Sequence, residues 1–102
     1  MKQVRVDAYV LDTLMADLVL HDRRPSAFLV YLHLWGRTAG RKGAVHASHQ
    51  QMVDGTGLSK SSVQNAIRAL TRRRLLKVTH AAATAVPEYT VLRSWRSSPR
   101  SG

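Results

Sequence analysis

The 102-residue chain carries 16 Lys and Arg residues against 6 Asp and Glu residues, a net charge of +10, and its isoelectric point is near 11.4. Such a length supports one domain with a modest core, and so basic a composition favours a polyanionic partner such as nucleic acid. The lack of cysteine excludes disulfides and thiolate metal sites, and no run of 18 apolar residues is available to span a membrane.

The charge is unevenly distributed. Residues 1–22 hold two basic and four acidic side chains, a net charge of −2, whereas residues 23–102 hold fourteen basic and two acidic ones, a net charge of +12. Nucleic-acid binding is therefore expected of the second part only. The alternative to nucleic-acid binding is that the basic residues serve only to keep the protein soluble.

The N-terminal segment contains two patterns. Residues 1–10 alternate apolar and polar, which predicts an extended arm or short strand that pairs elsewhere or across a dimer. Residues 12–20 predict a short helix capped by Asp12 or Thr13. The apolar stripe of this helix fits either the core of the same domain or a dimer surface. The stripe consists of Leu11, Leu14, Met15, Leu18 and Val19.

The most apolar stretch, residues 26–35, predicts the central buried helix, with Pro25 in its first turn. His33 within it is read as a core or boundary histidine. Residues 36–43 form a basic, glycine-rich loop that either touches DNA phosphates or is a solvated turn.

A short strand is predicted over residues 44–47, and Ser48 is the expected N-cap of a helix over residues 49–55 that turns Met52 and Val53 inward. His46 and His49 lack a cysteine or nearby carboxylate that would complete a zinc site, so no metal is expected. His49 or Gln50 is expected to contact a phosphate at the helix N-terminus.

The stretch from Gly55 to Val78 reads as a glycine turn, a helix capped by Ser59, an arginine cluster and a strand. One face of the helix is apolar, formed by Val63, Ala66, Ile67 and Leu70. The opposite face bears hydroxyl, amide and guanidinium groups, which hydrogen-bond base edges and phosphates. Its members are Ser61, Gln64, Asn65, Arg68 and Arg72. We predict that this is a DNA recognition helix.

Two further strands, over residues 75–80 and 87–92, predict a β-hairpin in which Tyr89 and Val91 share one face. The tail from residue 93 onward is expected to be disordered at its end. Trp95 is the exception, and is expected to anchor the tail on the core or on a partner.

This order of elements resembles a winged helix-turn-helix domain over residues 25–92. The residues that carry the resemblance are Ser48, Met52-Val53, Gly57-Leu58-Ser59, Val63, Ala66-Ile67, Leu70 and Leu75 to Val78. Bacterial transcription regulators of the MarR and GntR types and plasmid replication initiators contain such domains. The fold implied is mainly α with a small β-hairpin (α+β), plus an extra N-terminal arm and helix. The expected organisation is an arm and helix over residues 1–24, which is the candidate dimerisation element, the winged domain over residues 25–96 and a flexible tail over residues 97–102.

The resemblance also implies the contacts with DNA. The base-facing residues would be Lys60, Ser61, Gln64, Asn65 and Arg68. The phosphate-facing residues would be Ser48, His49, Gln50, Ser59, Ser62, Arg72, Arg73 and Lys77.

Two positions depart from the pattern. Arg74 stands where glycine is common after the recognition helix, so either the helix runs further or Arg74 adopts a strained conformation. The wing, residues 81–85, contains alanine and threonine instead of arginine or lysine. Insertion of a basic wing into the minor groove is therefore not expected.

The function expected from these patterns is sequence-specific binding of double-stranded DNA by a small bacterial or mobile-element transcription regulator, with helix 59–73 in the major groove. The protein is expected to be a homodimer that is associated with the nucleoid in the cytoplasm. No catalytic residues, cofactor or metal are expected, and no small-molecule ligand is identifiable. The alternatives are a replication or partition protein of a plasmid or phage, and a winged-helix adaptor for protein–protein contacts.

Overall fold

A computed structural model of the protein describes residues 3–39, 43–80, 82, 86–93 and 95. Two π-helical stretches, Val10–Leu14 and Ala16–His21, make up the N-terminal helix. They are followed by α1 (Pro25–Arg37), β1 (Ala44–His46), α2 (His49–Thr56), α3 (Lys60–Arg72), β2 (Leu76–Thr79) and β3 (Glu88–Val91). The α+β fold class is confirmed. Among the described residues, no helix combines the length and apolarity that crossing a membrane demands.

Helix α1 is the centre of the core, as predicted. Val30, Tyr31, Leu34 and Trp35 on it are fully buried, and it packs against α2, α3, β3 and the N-terminal helix. Pro25 stands in its first turn, where the missing amide hydrogen of proline breaks no hydrogen bond. The burial is not complete all round, because Leu29 is exposed on its outer face.

The predicted hairpin is confirmed, and it belongs to a larger sheet. β2 pairs with β3 in antiparallel register, Leu76 opposite Val91 and Val78 opposite Tyr89. Tyr89 and Val91 both face the core. β1 also pairs antiparallel with β3, so the strand order is β1-β3-β2 and the last strand of the chain is the central one.

The N-caps of α2 and α3 are those predicted. The Ser48 hydroxyl accepts from the Gln51 amide, and the Gln51 side chain accepts from the Ser48 amide, which makes a reciprocal capping box. The Ser59 hydroxyl accepts from the Ser62 amide at 3.2 Å. Both serines have extended backbone, as an N-cap requires.

Helix α3 ends at Arg72 because Arg74 adopts a left-handed conformation, with φ of 59°. The Arg74 amide donates to the Thr71 carbonyl and the Leu75 amide donates to the Leu70 carbonyl. These two bonds form a Schellman motif, in which glycine is the usual left-handed residue. Of the two alternatives for Arg74, the strained conformation is therefore the correct one.

The N-terminal helix also ends at a left-handed arginine. Arg23 is left-handed, with φ of 55°, and the amide of Arg24 donates to the Leu18 carbonyl at 2.7 Å. Since a left-handed backbone costs a residue with a Cβ atom about 1–2 kcal/mol, both helices end at an arginine that carries backbone strain.

The N-terminal segment differs from the prediction in two respects. Of the two alternatives for residues 1–10, an extended arm or a short strand, residues 3–7 form an arm without strand pairing, because Val4 and Val6 pack on the core and the Arg5 carbonyl accepts from Trp35 Nε1 at 2.7 Å. Helical backbone begins at residue 8, so Asp12 and Thr13 lie inside the helix and cap nothing. In both cases packing against the rest of the domain overrides the local pattern.

The apolar stripe of the N-terminal helix divides between core and solvent. Val10, Leu14 and Leu18 form a buried row. The neighbouring row is solvent-facing, with Leu11 50%, Met15 39% and Val19 38% exposed. The segment is thus part of the core of this domain and also presents an apolar surface.

Trp95 anchors the C-terminal segment on the core. Its ring stacks on Tyr9 with a centroid distance of 4.7 Å and on Trp35 at 6.2 Å, and its Nε1 donates to Asp7 Oδ2 at 2.8 Å. Residues from both ends of the described chain therefore meet on α1.

His33 lies against the backbone of Gly55 at the contact between α1 and α2. A Cβ atom on Gly55 would fall 2.7 Å from His33 Nδ1 and still closer to Cε1, so the imidazole occupies the space that a side chain at position 55 would need. Burial and the neighbouring Arg37 cation lower the pKa of His33, and His33 Nε2 has no hydrogen-bond partner among the described residues. His33 is a boundary histidine, as predicted.

Candidate nucleic-acid interface

Helix α3 separates apolar and polar side chains onto opposite faces. Its apolar face is buried against the core and consists of Val63, Ala66, Ile67, Ala69 and Leu70. On the other face Lys60, Ser61, Asn65 and Arg68 are exposed and Gln64 is half-buried. The structure thus brings all five residues predicted to face bases onto one accessible helix.

The polar groups on this face differ in whether they already form hydrogen bonds within the protein. Ser59 Oγ lies 2.9 Å from Ser62 Oγ and 3.3 Å from Ser61 Oγ, so these three hydroxyls form a cluster at the first turn. In contrast, no side-chain hydrogen bond within the described parts of the chain involves Gln64, Asn65 or Arg68. Their donors and acceptors are available to a ligand.

The residues expected to meet phosphates near α2 are partly engaged within the protein. The Ser48 hydroxyl is used in the capping box, and Gln50 Nε2 donates to Asp54 Oδ1 at 2.9 Å. His49 is half-buried at the first position of α2. Its amide is among those that a helix N-terminus leaves without an intrahelical partner.

The arginines after α3 have different environments. Arg73 makes a two-point ion pair with Asp22, with Nη2 to Oδ1 at 2.6 Å and Nε to Oδ2 at 2.8 Å. This hydrogen-bonded pair lowers the pKa of Asp22 and raises that of Arg73. Asp22 therefore compensates the charge of Arg73, which was expected to meet phosphate, in the free protein. Arg72 remains exposed without an ion pair among the described residues.

The sheet contributes one further predicted residue. Lys77 is exposed on β2, opposite Thr90 of β3. His46 and Glu88 lie on adjacent strands, with His46 Nε2 3.7 Å from Glu88 Oε2. Of the expected wing, only residue 82 is described, and residues 40–42 of the glycine-rich loop also lie outside the described residues.

Residues 24–76, just over half of the chain, match the protein family described as a helix-turn-helix domain. Among solved structures, the chain is similar to BpsR of Bordetella bronchiseptica, whose DNA binding is regulated by 6-hydroxynicotinic acid. That match has a TM-score of 0.57 and 23% identity and covers 87% of this chain.

The same match covers 61% of BpsR, so the chain spans less than two thirds of that protein, and the likeness concerns the fold. No match was found among curated proteins. The family match includes α1, α2 and α3, which are the elements that build the polar helix face described above. On this evidence, the chain belongs to the helix-turn-helix domain family.

Proposed function

We propose that the protein is a sequence-specific, double-stranded DNA-binding regulator of transcription that places α3 in the major groove. The observation that supports this most strongly is the exposed face of α3, where Gln64, Asn65 and Arg68 have no side-chain partner within the described residues. We propose that the protein acts without catalysis and is located at the nucleoid in a bacterial cytoplasm.

The chemistry of this face matches the edges of bases. Glutamine and asparagine side chains pair bidentately with adenine, and arginine pairs bidentately with guanine. Asn65 and Arg68 are three residues apart, and Gln64 and Arg68 are four apart, so they lie side by side along the helix. Lys60 and Ser61 extend the same surface to the N-terminal turn, the part of a recognition helix that contacts base edges.

The proposed phosphate contacts surround these residues. The N-terminus of α2, with His49, and the exposed Arg72 and Lys77 supply positive charge or free amides. Ser59 and Ser62 offer hydroxyls at the start of α3. Because such contacts release counterions, binding is expected to weaken steeply as the salt concentration rises.

Replacing Gln64 or Arg68 with alanine is expected to cost about 1–3 kcal/mol of binding free energy and to relax base preference at one position. The preferred sequence is first selected from a random duplex pool, and affinity is then measured on selected and random duplexes. Arg72→Ala, one turn further along the same helix, is the control, and should weaken both duplexes equally. If Q64A and R68A discriminate between the two duplexes as well as the wild-type protein does, α3 does not read the bases.

We also propose that the protein binds DNA as a homodimer through the exposed row of Leu11, Met15 and Val19. A single recognition helix reads few base pairs, and helix-turn-helix dimers bind two half-sites one helical turn apart. The row continues toward Leu20, which is 65% exposed. Apolar side chains that recur on one side of a helix are the kind of surface that association buries.

Substituting both Leu11 and Met15 with glutamate is expected to convert the dimer to a monomer, because four carboxylates would meet across the symmetric interface. Native mass spectrometry gives the oligomeric state, and circular dichroism confirms that the helices remain. Leu29→Glu, an equally exposed position on α1, is the control and should remain dimeric. A wild-type protein that stays monomeric on a selected palindromic duplex would contradict the dimer.

A further inference from the structure

A basic cleft lies where the end of the N-terminal helix meets the end of α3. It has a volume of about 350 Å³ and is lined by Asp22, Arg24, Ala69, Arg72 and Arg73. The lining residues come from two segments almost fifty residues apart in the chain. We call this site the arginine cleft.

The arginine cleft has a positive balance of charge. Asp22 compensates Arg73 through the two-point ion pair. Arg24 and Arg72 are exposed, and neither has an ion pair among the residues that the structure describes. The cleft therefore holds three guanidinium groups against one carboxylate, and that carboxylate is hydrogen-bonded to only one of them, Arg73.

The backbone on both sides of the cleft is strained. Arg23, directly before Arg24, and Arg74, directly after Arg73, have φ of 55° and 59°. Glycine would adopt this conformation without strain, and strained residues concentrate at binding sites. At both positions the chain carries a cationic side chain instead, which adds positive charge beside the cleft.

The cleft adjoins the face of α3 proposed to read bases. Arg72 lies one helical turn after Arg68 on the same side. Helix α3 has 13 residues and is therefore about 20 Å long, whereas the major groove is about 12 Å wide. When the N-terminal turns of α3 enter the groove, its C-terminal end is left near the flanking backbone.

We propose that the arginine cleft binds a phosphodiester of the DNA backbone that flanks the groove, with Arg24 and Arg72 as direct contacts and Asp22 as a carboxylate that holds Arg73 and limits affinity. This inference rests on the proposed DNA binding by α3 and adds the N-terminal segment to the interface. Guanidinium groups suit the site because they bind phosphate oxygens bidentately.

The first test is Arg24→Gln, with Arg5→Gln as a matched control that removes the same charge from the N-terminal arm. Affinity for a labelled random-sequence duplex is measured by fluorescence anisotropy over a series of salt concentrations. Loss of one phosphate contact should reduce the slope of log K against log salt by about 0.9, which corresponds to roughly eightfold weaker binding at about 0.1 M salt. Arg5→Gln should change the affinity less than about twofold.

The second test is Asp22→Asn, with Asp12→Asn as the matched control on the exposed side of the N-terminal helix. Releasing Arg73 should strengthen binding by roughly fivefold to tenfold and steepen the salt dependence by about one contact. Asp12→Asn makes the same change in net charge and should leave the affinity within about twofold. Among the described residues the Arg24 side chain makes no hydrogen bond and no ion pair, so Arg24→Gln remains informative even if D22N folds poorly.

The outcomes separate the two proposals. If the wild-type protein does not bind duplex DNA at low salt, the proposed function fails. If it binds, but R24Q and D22N behave like their controls, only the cleft proposal fails. A titration with inorganic phosphate, monitored by NMR, tests whether the cleft binds a free anion instead. If phosphate shifts the signals of Arg24 and Arg72, and D22N enhances these shifts without changing the affinity for DNA, the cleft binds a free anion and the proposed DNA contact is overturned.

Discussion

Replacing Trp95 with alanine is expected to lower the free energy of unfolding by about 3 kcal/mol. The indole stacks between Tyr9 and Trp35, and its Nε1 donates to the Asp7 carboxylate. The substitution removes an aromatic ring from a packed site and leaves two other rings without their partner. Because Tyr9 lies in the first turn of the helical backbone that begins at residue 8, this segment should loosen together with the C-terminal one.

Urea denaturation monitored by circular dichroism measures the loss, and amide hydrogen exchange shows where the protein loosens. Trp95→Phe is the matched control, since it retains an aromatic ring for stacking and loses the hydrogen bond to Asp7, worth about 1 kcal/mol, together with part of the ring area. Exchange should accelerate at residues 8–21 in W95A and not in α3. A W95A protein within 1 kcal/mol of the wild type would show that the aromatic contacts contribute little to folding.

Gly55→Ala is expected to destabilise the protein by about 1–2 kcal/mol, although alanine is the better helix former by about 1 kcal/mol. Position 55 lies within α2, where propensity alone would predict a gain. The added Cβ atom would collide with the His33 imidazole, and overpacking of this kind costs about 1–3 kcal/mol. Contacts this far below 3.0 Å place the steric term in the upper part of that range, at about 2–3 kcal/mol, so it outweighs the propensity term by about 1–2 kcal/mol.

The test is a double-mutant cycle with His33→Ala. In the H33A background the collision is absent, so Gly55→Ala should stabilise the protein by about 1 kcal/mol, and the sign of its effect reverses. The coupling energy between the two positions should be about 2–3 kcal/mol, as expected for residues in direct contact. Equal effects of G55A in both backgrounds would show that His33 does not restrict position 55.

Local patterns in the sequence were sufficient to predict the proposed recognition surface. Ser59 as an N-cap and the spacing of Val63, Ala66, Ile67 and Leu70 predict both the start of α3 and its buried face, and the structure confirms both. These signals lie within a few residues of the feature that they specify. The end of the helix does not follow from such local signals, because Arg74 adopts a conformation that favours glycine.

Features that depend on distant residues were not predictable in this way. The Asp22–Arg73 ion pair joins positions 51 residues apart, and β1 pairs with a strand more than forty residues later. Neither contact leaves a periodic pattern in the chain. The same applies to the N-terminal arm, whose alternation fits either an extended arm or a strand and does not identify its partners, the core and Trp35.

The position of β3 in the middle of the sheet has a consequence for folding. β1 and β2 are complete by residue 79, yet neither has a strand to pair with until residues 88–91 have been synthesised. The helices, which rely on local contacts, can form first, and β2 can pair with β3 across a short connection, whereas β1 must wait for the closure of a long loop between residues 44 and 90. The addition of β1 to the sheet is therefore the late event, and it ties together the strands that precede α2 and follow α3.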